Sequence, residues 1–161
     1  MGLLSRFSHR IVSRKADAMM LHASDLVDVV SKSYRQDALQ RVAAVATDSK
    51  PFLENLTGEA LETAKEDHER RWFRAVLMRE RDKWHDPNSI AVFADGDGLI
   101  GYLSRGDAID YWPVFDALKA RRLAFAACPA FLIGGGQGKS YGVMLCLSSP
   151  ERIVAALADE P

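Results

Sequence analysis

The turn Asp95-Gly-Asp-Gly98 lies between two short apolar segments, Ile90–Ala94 and Leu99–Leu103. Glycine reaches positive φ without steric cost, and an Asp-Gly pair between apolar segments is one of the strongest hairpin signals a sequence can carry. Both segments contain the β-branched and aromatic residues that favour strands. Strands joined by so short a turn have to be antiparallel, so we expect a local, hairpin-connected sheet.

Further apolar segments extend this pattern into a small domain. Segments bounded by Gly, Pro or polar residues predict strands at 29–34, 72–77, 123–128, 131–133 and 141–147. Strong helix formers predict helices over 37–45, from the N-cap residue Ser104 to residue 120, and from Pro150 onward. Pro113 predicts either a kink in the second of these helices or a separate helical segment over Val114–Ala120. The pattern indicates an α+β fold that is mainly β, a small antiparallel barrel of about six strands with two or more helices.

The two ends and one internal segment stand apart from this barrel. Residues 1–26 carry apolar side chains near helical spacing, among them Leu4, Phe7 and Ile11, with arginines between them, which predicts an extra basic amphipathic helix. That helix either lies on a membrane surface or nucleic acid, or is a solvated terminus whose later half packs on the domain. Residues 46–70 predict a helical insertion within a domain spanning 27–148, and residues 149–161 predict a short C-terminal helix and tail.

Charge is balanced overall but clustered locally. The 161 residues carry 21 Lys and Arg against 22 Asp and Glu, which excludes a polycationic protein but allows a local phosphate site. Basic residues concentrate before residue 16 and between residues 70 and 83. The two cysteines lie in apolar segments and predict buried thiols, and no apolar run approaches about 18 residues. We therefore expect a cytoplasmic protein without a membrane partner.

Three kinds of site fit the sequence poorly. The glycine-rich segment 133–140 has the composition of a P-loop, but Ile133 stands where the motif needs its first Gly, and a strand is predicted after it instead of a helix. The four histidines and two cysteines show no paired metal-ligand spacing, so no metal or other cofactor is expected. No nucleophile motif accompanies the adjacent His85 and Asp86, so catalysis is not expected.

The most polar connection lies between residues 79 and 88. It places basic, aromatic and acidic side chains within ten positions, and such a loop between strands commonly recognises a ligand or braces the fold. Asp86 and Asn88, on either side of Pro87, suit a turn in which their side chains cap backbone amides. They also suit ligand contact, and the two roles can coexist.

Two segments combine this connection with the hairpin and the start of the next helix. They are Arg79-Glu-Arg-Asp-Lys-Trp-His-Asp-Pro-Asn-Ser-Ile-Ala-Val92 and Ile100-Gly-Tyr-Leu-Ser-Arg105, the second followed by Asp107-Ala108. Together they resemble the HIRAN domain family. The family pattern is roughly Asn-Pro-Tyr-Asp-x-Asn-Ala-Ile-x-Val, then Val/Ile-Gly-Tyr/His-Leu and a basic residue before an Ala-containing helix. Here Lys83-Trp84 replaces the Asn-Pro of the family, His85 replaces the Tyr, and Ser31 replaces a first-strand Gly.

The resemblance implies an OB-like barrel that binds single-stranded DNA or DNA 3′ ends. It implies a bacterial-type, stand-alone protein in DNA repair or stalled-fork processing, with helicase or nuclease activity supplied by a partner. Matched by position, Asp86 would hydrogen-bond a terminal 3′ hydroxyl and His85 would stack beside it, while Tyr102 and Arg105 would contact a base or phosphate. With the clustered cations and Trp84 included, the candidate DNA-binding residues are Tyr34, Arg79, Arg81, Lys83, Trp84, His85, Asp86, Tyr102, Arg105 and Tyr141.

Two other functions stay open at this point. A protein-interaction module could use the same fold after losing the DNA-end pocket, and exposed Trp84 and Trp112 on one apolar patch would favour it. A small hydrolase using His85 and Asp86 would need a deep pocket with a third polar group within reach of both.

Overall fold

The computed structural model describes residues 18–30, 35–80 and 88–159. Its strands are β1 (Met19–Met20), β2 (Leu26–Val30), β3 (Trp72–Arg79), β4 (Ile90–Ala94), β5 (Leu99–Leu103), β6 (Phe125–Gly134) and β7 (Tyr141–Cys146). Its α-helices are α1 (Gln36–Val45), α2 (Gly58–Glu66), α3 (Arg105–Ala120) and α4 (Pro150–Asp159). Two 3₁₀ helices, Lys50–Asn55 and Gly136–Gly138, complete the described elements.

Six of the strands form a closed antiparallel barrel. Neighbouring strands follow the order β6-β3-β4-β5-β2-β7, and a second pairing joins β7 back to β6. β1 adds a parallel pairing beside the first half of β6, where Met19 lies opposite Ala126. Closure leaves no long unpaired edge among these strands. The predicted α+β, mainly β fold with a small barrel of about six strands is confirmed.

Alternation along the strands divides the barrel into an inner and an outer side. In β3, Ala75 and Leu77 point inward to the main core, whereas Trp72, Val76 and Met78 point outward. Helices α1, α3 and α4 contribute the buried residues Leu39, Val42, Tyr111, Val114, Phe115, Leu118, Ile153 and Leu157 to the same inner core. The ends of the barrel are thus filled by helices.

The hairpin predicted at Asp95-Gly-Asp-Gly98 is present, and it joins β4 to β5 with the predicted strand bounds. Gly96 adopts a φ of 83°, a conformation that other residues enter at a steric cost. The register shifts between Val92 and Phe93. The glycine-rich segment after β6 turns directly into β7, so the predicted strand, and no helix, follows Ser140.

Two predictions about local structure were wrong. Residues 18–26 were predicted as part of a helix, yet they contain β1 and the start of β2. Residues 1–17 of the same predicted helix lie outside the described residues. Residues 123–133 were predicted as two strands, yet β6 runs unbroken through Pro129. Pro129 lies opposite Arg74 of β3, but the hydrogen bond from Leu132 N to the Arg71 carbonyl sets an alternation that turns the backbone nitrogen of Pro129 away from β3. On that other side, residue 129 falls between the residues paired with β1 and those paired with β7, so its missing N–H costs no ladder hydrogen bond.

Helix α3 is a single helix through Pro113, so the second helical segment predicted as one alternative over Val114–Ala120 is not separate. Proline removes one helical hydrogen bond, here the bond to the carbonyl of Ile109. Both Ile109 and Pro113 are exposed, so the freed carbonyl faces solvent and the helix continues. Ser104 caps this helix as predicted, because its Oγ accepts a hydrogen bond from the Asp107 amide at 3.1 Å.

The segment predicted as a helical insertion contains the first 3₁₀ helix and α2. These pack over the outer side of β3, β6 and β7, where Leu56, Ala60 and Ala64 bury Trp72 and Phe131. Asp67 fixes the end of this insertion, since its Oδ2 accepts hydrogen bonds from Trp72 Nε1 at 2.7 Å and from Arg71 Nε at 2.6 Å.

Both cysteines are free and buried, as predicted. Burial raises the pKa of the Cys146 thiol to about 12, and burial beside Cys146 raises the pKa of Cys128 as well. Such thiols are protonated and unreactive at neutral pH. Across residues 18–30, 35–80 and 88–159, no helix combines the length and the apolar character needed to cross a bilayer.

Candidate nucleic-acid interface

The polar connection that resembles the HIRAN motif opens at one end of the barrel. Arg79, the last residue of β3, lies opposite Ile90, the first residue of β4. One residue further on, the amide of Glu80 donates a hydrogen bond to the Ser89 carbonyl at 2.8 Å. The strands are therefore held together up to the start of the connection. Arg81, Lys83, Trp84, His85 and Asp86 belong to residues 81–87, which lie outside the described residues.

Arg79 is placed at this end by contacts with helix α3. Its guanidinium carbon lies 4.0 Å from the centre of the Trp112 ring, and its Nη1 donates to Asp116 Oδ1 at 3.1 Å. Its side chain is 15 % exposed, and the buried Nε has no hydrogen-bond partner among the described residues. Trp112 in turn donates from Nε1 to the Asn88 carbonyl at 3.3 Å. Arg79 and Trp112 thus tie β3, α3 and the far end of the connection together.

A pocket of about 370 Å³ lies next to Arg79. Its lining combines apolar walls with two cations at the rim, and comprises Met78, Arg79, Phe115, Lys119, Leu123, Ala124 and Phe125. The volume falls in the range of small-ligand sites, which are usually apolar with a few polar groups that fix orientation. A flat, unstacked base would suit the aromatic walls, and a phosphate would suit the cations.

Tyr102 and Arg105 lie near the same end of the sheet. Tyr102 is opposite Ala91, and Ala91 is opposite Met78, so the Tyr102 side chain shares their outer face. Arg79 points to the inner side, so these two candidates lie on opposite faces of the sheet. Arg105 is exposed and is the first residue of α3. Asp107 belongs to the same first helical turn.

Tyr141 belongs to another part of the barrel wall. It lies opposite Gly134 at the start of β7, and its side chain packs toward the inner core. Its ring occupies the space that a side chain at Gly135 would need. The amide and carbonyl of Tyr141 are both bonded to the Gln36 side chain, at 2.8 and 3.1 Å. The residue anchors α1 on the barrel, while Tyr34 lies outside the described residues.

The structure therefore brings Arg79, Tyr102 and Arg105 to one end of the barrel, on different faces, and leaves Tyr141 apart. Sequence reasoning missed the pocket residues Phe115, Lys119 and Phe125, and also missed Asp116. Residues 112, 116 and 119 follow one another at spacings of four and three, which places them along one side of a helix. That spacing was the available signal for the α3 side of the site.

The charges at this end are mixed. Arg79, Arg105 and Lys119 are accompanied by Asp107, Asp110 and Asp116 on the same helix. In the sequence of the connection, Arg81 and Lys83 are matched by Asp82 and Asp86, so this end of the barrel has no surplus of positive charge. Among the described residues, no three metal-ligating side chains are grouped as a metal site.

Comparisons of the chain with family models, with curated proteins and with solved structures found no match.

Proposed function

We propose that the chain is a HIRAN-like module that binds single-stranded DNA or DNA 3′ ends at the β3–β4 end of the barrel. It has no catalysis of its own, and it acts in DNA repair or stalled-fork processing with a partner that supplies helicase or nuclease activity. The proposal combines the resemblance of residues 79–105 with the closed barrel, a fold type that binds single strands in other proteins.

One observation carries the proposal: the pocket of about 370 Å³ beside the polar connection, with the exposed Lys119 and the mostly buried Arg79 among its lining residues and with aromatic walls. A terminal base is free to leave the stack because it has a neighbour on one side only. Burial of that base against Phe115 and Phe125 would contribute roughly 1–3 kcal/mol, the usual range for base–aromatic stacking.

The basic residues of the proposed site have two different roles. Arg79 is mostly buried, stacked on Trp112 and paired with Asp116, so it shapes the pocket wall. Lys119 is exposed, and with Arg81 and Lys83 it would meet the phosphates. Because an interaction with phosphates releases counterions, affinity should fall as salt is added.

A fluorescence-anisotropy titration with 3′-tailed, 5′-tailed and blunt DNA tests the proposal. We expect the 3′-tailed DNA to bind most tightly. Lys119→Glu should weaken that binding on the order of tenfold, because the reversed charge repels a phosphate instead of attracting it. Lys65→Glu is the matched control, since Lys65 is exposed on helix α2 of the insertion.

Equal and weak binding to all three DNAs, unchanged by Asp86→Ala or Arg105→Ala, would exclude end recognition. Absence of DNA binding together with stable self-association would instead identify a protein-interaction module. Trp112 contributes little to an exposed apolar patch for such a module, because it is partly buried beneath Arg79.

A further inference from the structure

The barrel carries an apolar surface on the outer side of β3, β4 and β5, which we call the outer apolar face. It consists of Val76, Met78, Ala91 and Phe93. Val76, Ala91 and Phe93 have no exposed surface, and Met78 is 9 % exposed. The partly buried side chains around it are Ala18, Leu99, Tyr102 and Phe125.

No helix of the described residues contributes to this cluster, whose members come from β3 to β6 and from Ala18. The neighbouring outer surface around Trp72 differs, because residues of the insertion such as Leu56 and Ala60 cover it. An apolar sheet face has to be buried against another layer. A phenylalanine without exposed surface on the outside of a barrel therefore requires a covering element.

We propose that residues 1–17 of the same chain are this element, and that they dock on the outer apolar face as an amphipathic helix. The chain enters the described structure at Ala18, which already packs in the cluster. Seventeen helical residues would extend about 25 Å. That length is sufficient to cross three strands, which lie about 5 Å apart.

The sequence of the segment fits the surface. Leu4, Phe7 and Ile11 are separated by three and four residues and would form one apolar stripe. Arg6, Arg10 and Arg14 recur at spacings of four and form a second stripe beside the first. The apolar stripe would face the sheet while the arginines stay in water at the edge of the contact. This docking does not depend on the proposed DNA binding.

Two substitutions in the full chain test the docking. Phe7→Asp places a charge in the apolar stripe, and it should raise the fluorescence of the dye ANS several-fold and lower the unfolding midpoint, because apolar surface becomes exposed. His9→Asp, on the opposite side of the predicted helix, should change neither. If Phe7→Asp leaves both quantities at the wild-type level, residues 1–17 do not cover the face and the proposal is wrong.

Cross-linking locates the contact independently of stability. A Phe7→Cys, Leu99→Cys pair should cross-link within one molecule with a short bismaleimide, whereas a Phe7→Cys, Val45→Cys pair should not. Val45 is the control because it is 75 % exposed at the end of α1. Cross-links that form only between two molecules would show that a second copy occupies the face. If the full wild-type chain binds anionic lipid vesicles and the Phe7→Cys, Leu99→Cys pair gives no cross-link, a membrane surface is the partner of residues 1–17. A cross-link only between two molecules, or this lipid result, would overturn the proposal.

Discussion

Asp67 holds the helical insertion on the barrel, and its removal gives a prediction that can be worked out from the structure. Its Oδ2 accepts hydrogen bonds from Arg71 Nε at 2.6 Å and Trp72 Nε1 at 2.7 Å, and its Oδ1 accepts one from the Glu69 amide at 3.0 Å. The Asp67 side chain is 7 % exposed, and Trp72 has no exposed surface. Asp67→Ala removes all three acceptor contacts and leaves the indole N–H of Trp72 buried without a partner.

The size of the effect follows from these contacts. Hydrogen bonds to a charged group contribute about 1.5–3 kcal/mol each, and an unsatisfied buried donor costs about 1–3 kcal/mol. The bond to Arg71 counts for less, because that side chain is 30 % exposed and solvent screens it. We expect Asp67→Ala to lower the free energy of unfolding by about 3–5 kcal/mol. Asp67→Asn, which keeps an oxygen acceptor, should lower it by about 1–2 kcal/mol.

The pH dependence provides a second test of the same contact. Burial raises the pKa of Asp67, but the hydrogen bonds from Arg71, the Glu69 amide and Trp72, with the charge of Arg71, outweigh burial and lower it below 3.8. A carboxyl group with a lowered pKa stabilises the fold above its ordinary pKa, and that stabilisation is lost as the pH falls. The difference between wild type and Asp67→Ala should therefore be full at pH 7 and shrink below about pH 4.

Urea unfolding followed by far-ultraviolet circular dichroism measures both effects. Glu66→Ala is the control, because Glu66 is an exposed neighbour at the end of α2. Equal midpoints for the Asp67 and Glu66 variants at pH 7 would refute the assigned role of Asp67. A difference that stays constant between pH 7 and pH 3 would refute the role of its charge.

Three further predictions concern the barrel and the site. Gly101→Ala should destabilise the fold by about 1–3 kcal/mol, measured by urea unfolding, because a Cβ there would lie 2.7 Å from the Val30 carbonyl oxygen; an unchanged midpoint would contradict this. A double-mutant cycle of Arg79→Ala and Trp112→Leu should give a coupling energy of about 0.5–2 kcal/mol, and additive effects would mean that the stacked contact contributes nothing. The free energy of unfolding of the wild type, measured by urea unfolding, should fall as the pH rises from 9.0 toward 12. The reason is that the folded state raises the pKa of Cys146 and therefore favours the neutral thiol. Cys146→Ala should show a shallower decline over that range.

The fold was predictable where its determinants are local. A few adjacent residues are sufficient to predict the turn after Ala94, the bounds of β4 and β5, and the cap at Ser104. Residues 18–26 were mistaken for helix because Met19 and Leu26 fit a helical spacing, while their partners Ala126 and Cys146 lie more than a hundred positions away. Long-range pairing of this kind overrides local propensity and leaves no local signal.

Part of the candidate site was also predictable, because some of its residues lie close together in the sequence. Tyr102 and Arg105 follow one another along β5 and into α3, so their proximity is a local property. Arg79 stacks on Trp112, and Phe115 and Phe125 line one pocket. Both arrangements depend on how α3 packs on the ends of β3 and β6. The sequence spacing within α3 indicates that Trp112, Asp116 and Lys119 share a side, but not which strand that side meets.

We propose above that the chain recognises a DNA 3′ end at the β3–β4 end of the barrel. The most direct test of this proposal compares one single-stranded oligonucleotide ending in a 3′ hydroxyl with the same oligonucleotide ending in a 3′ phosphate, by anisotropy, with wild type and Asp86→Ala. We predict that the wild type binds the hydroxyl form about tenfold or more tightly, the equivalent of one hydrogen bond to a charged group, and that Asp86→Ala loses this preference. Equal affinity of the wild type for both oligonucleotides would contradict recognition of the 3′ hydroxyl.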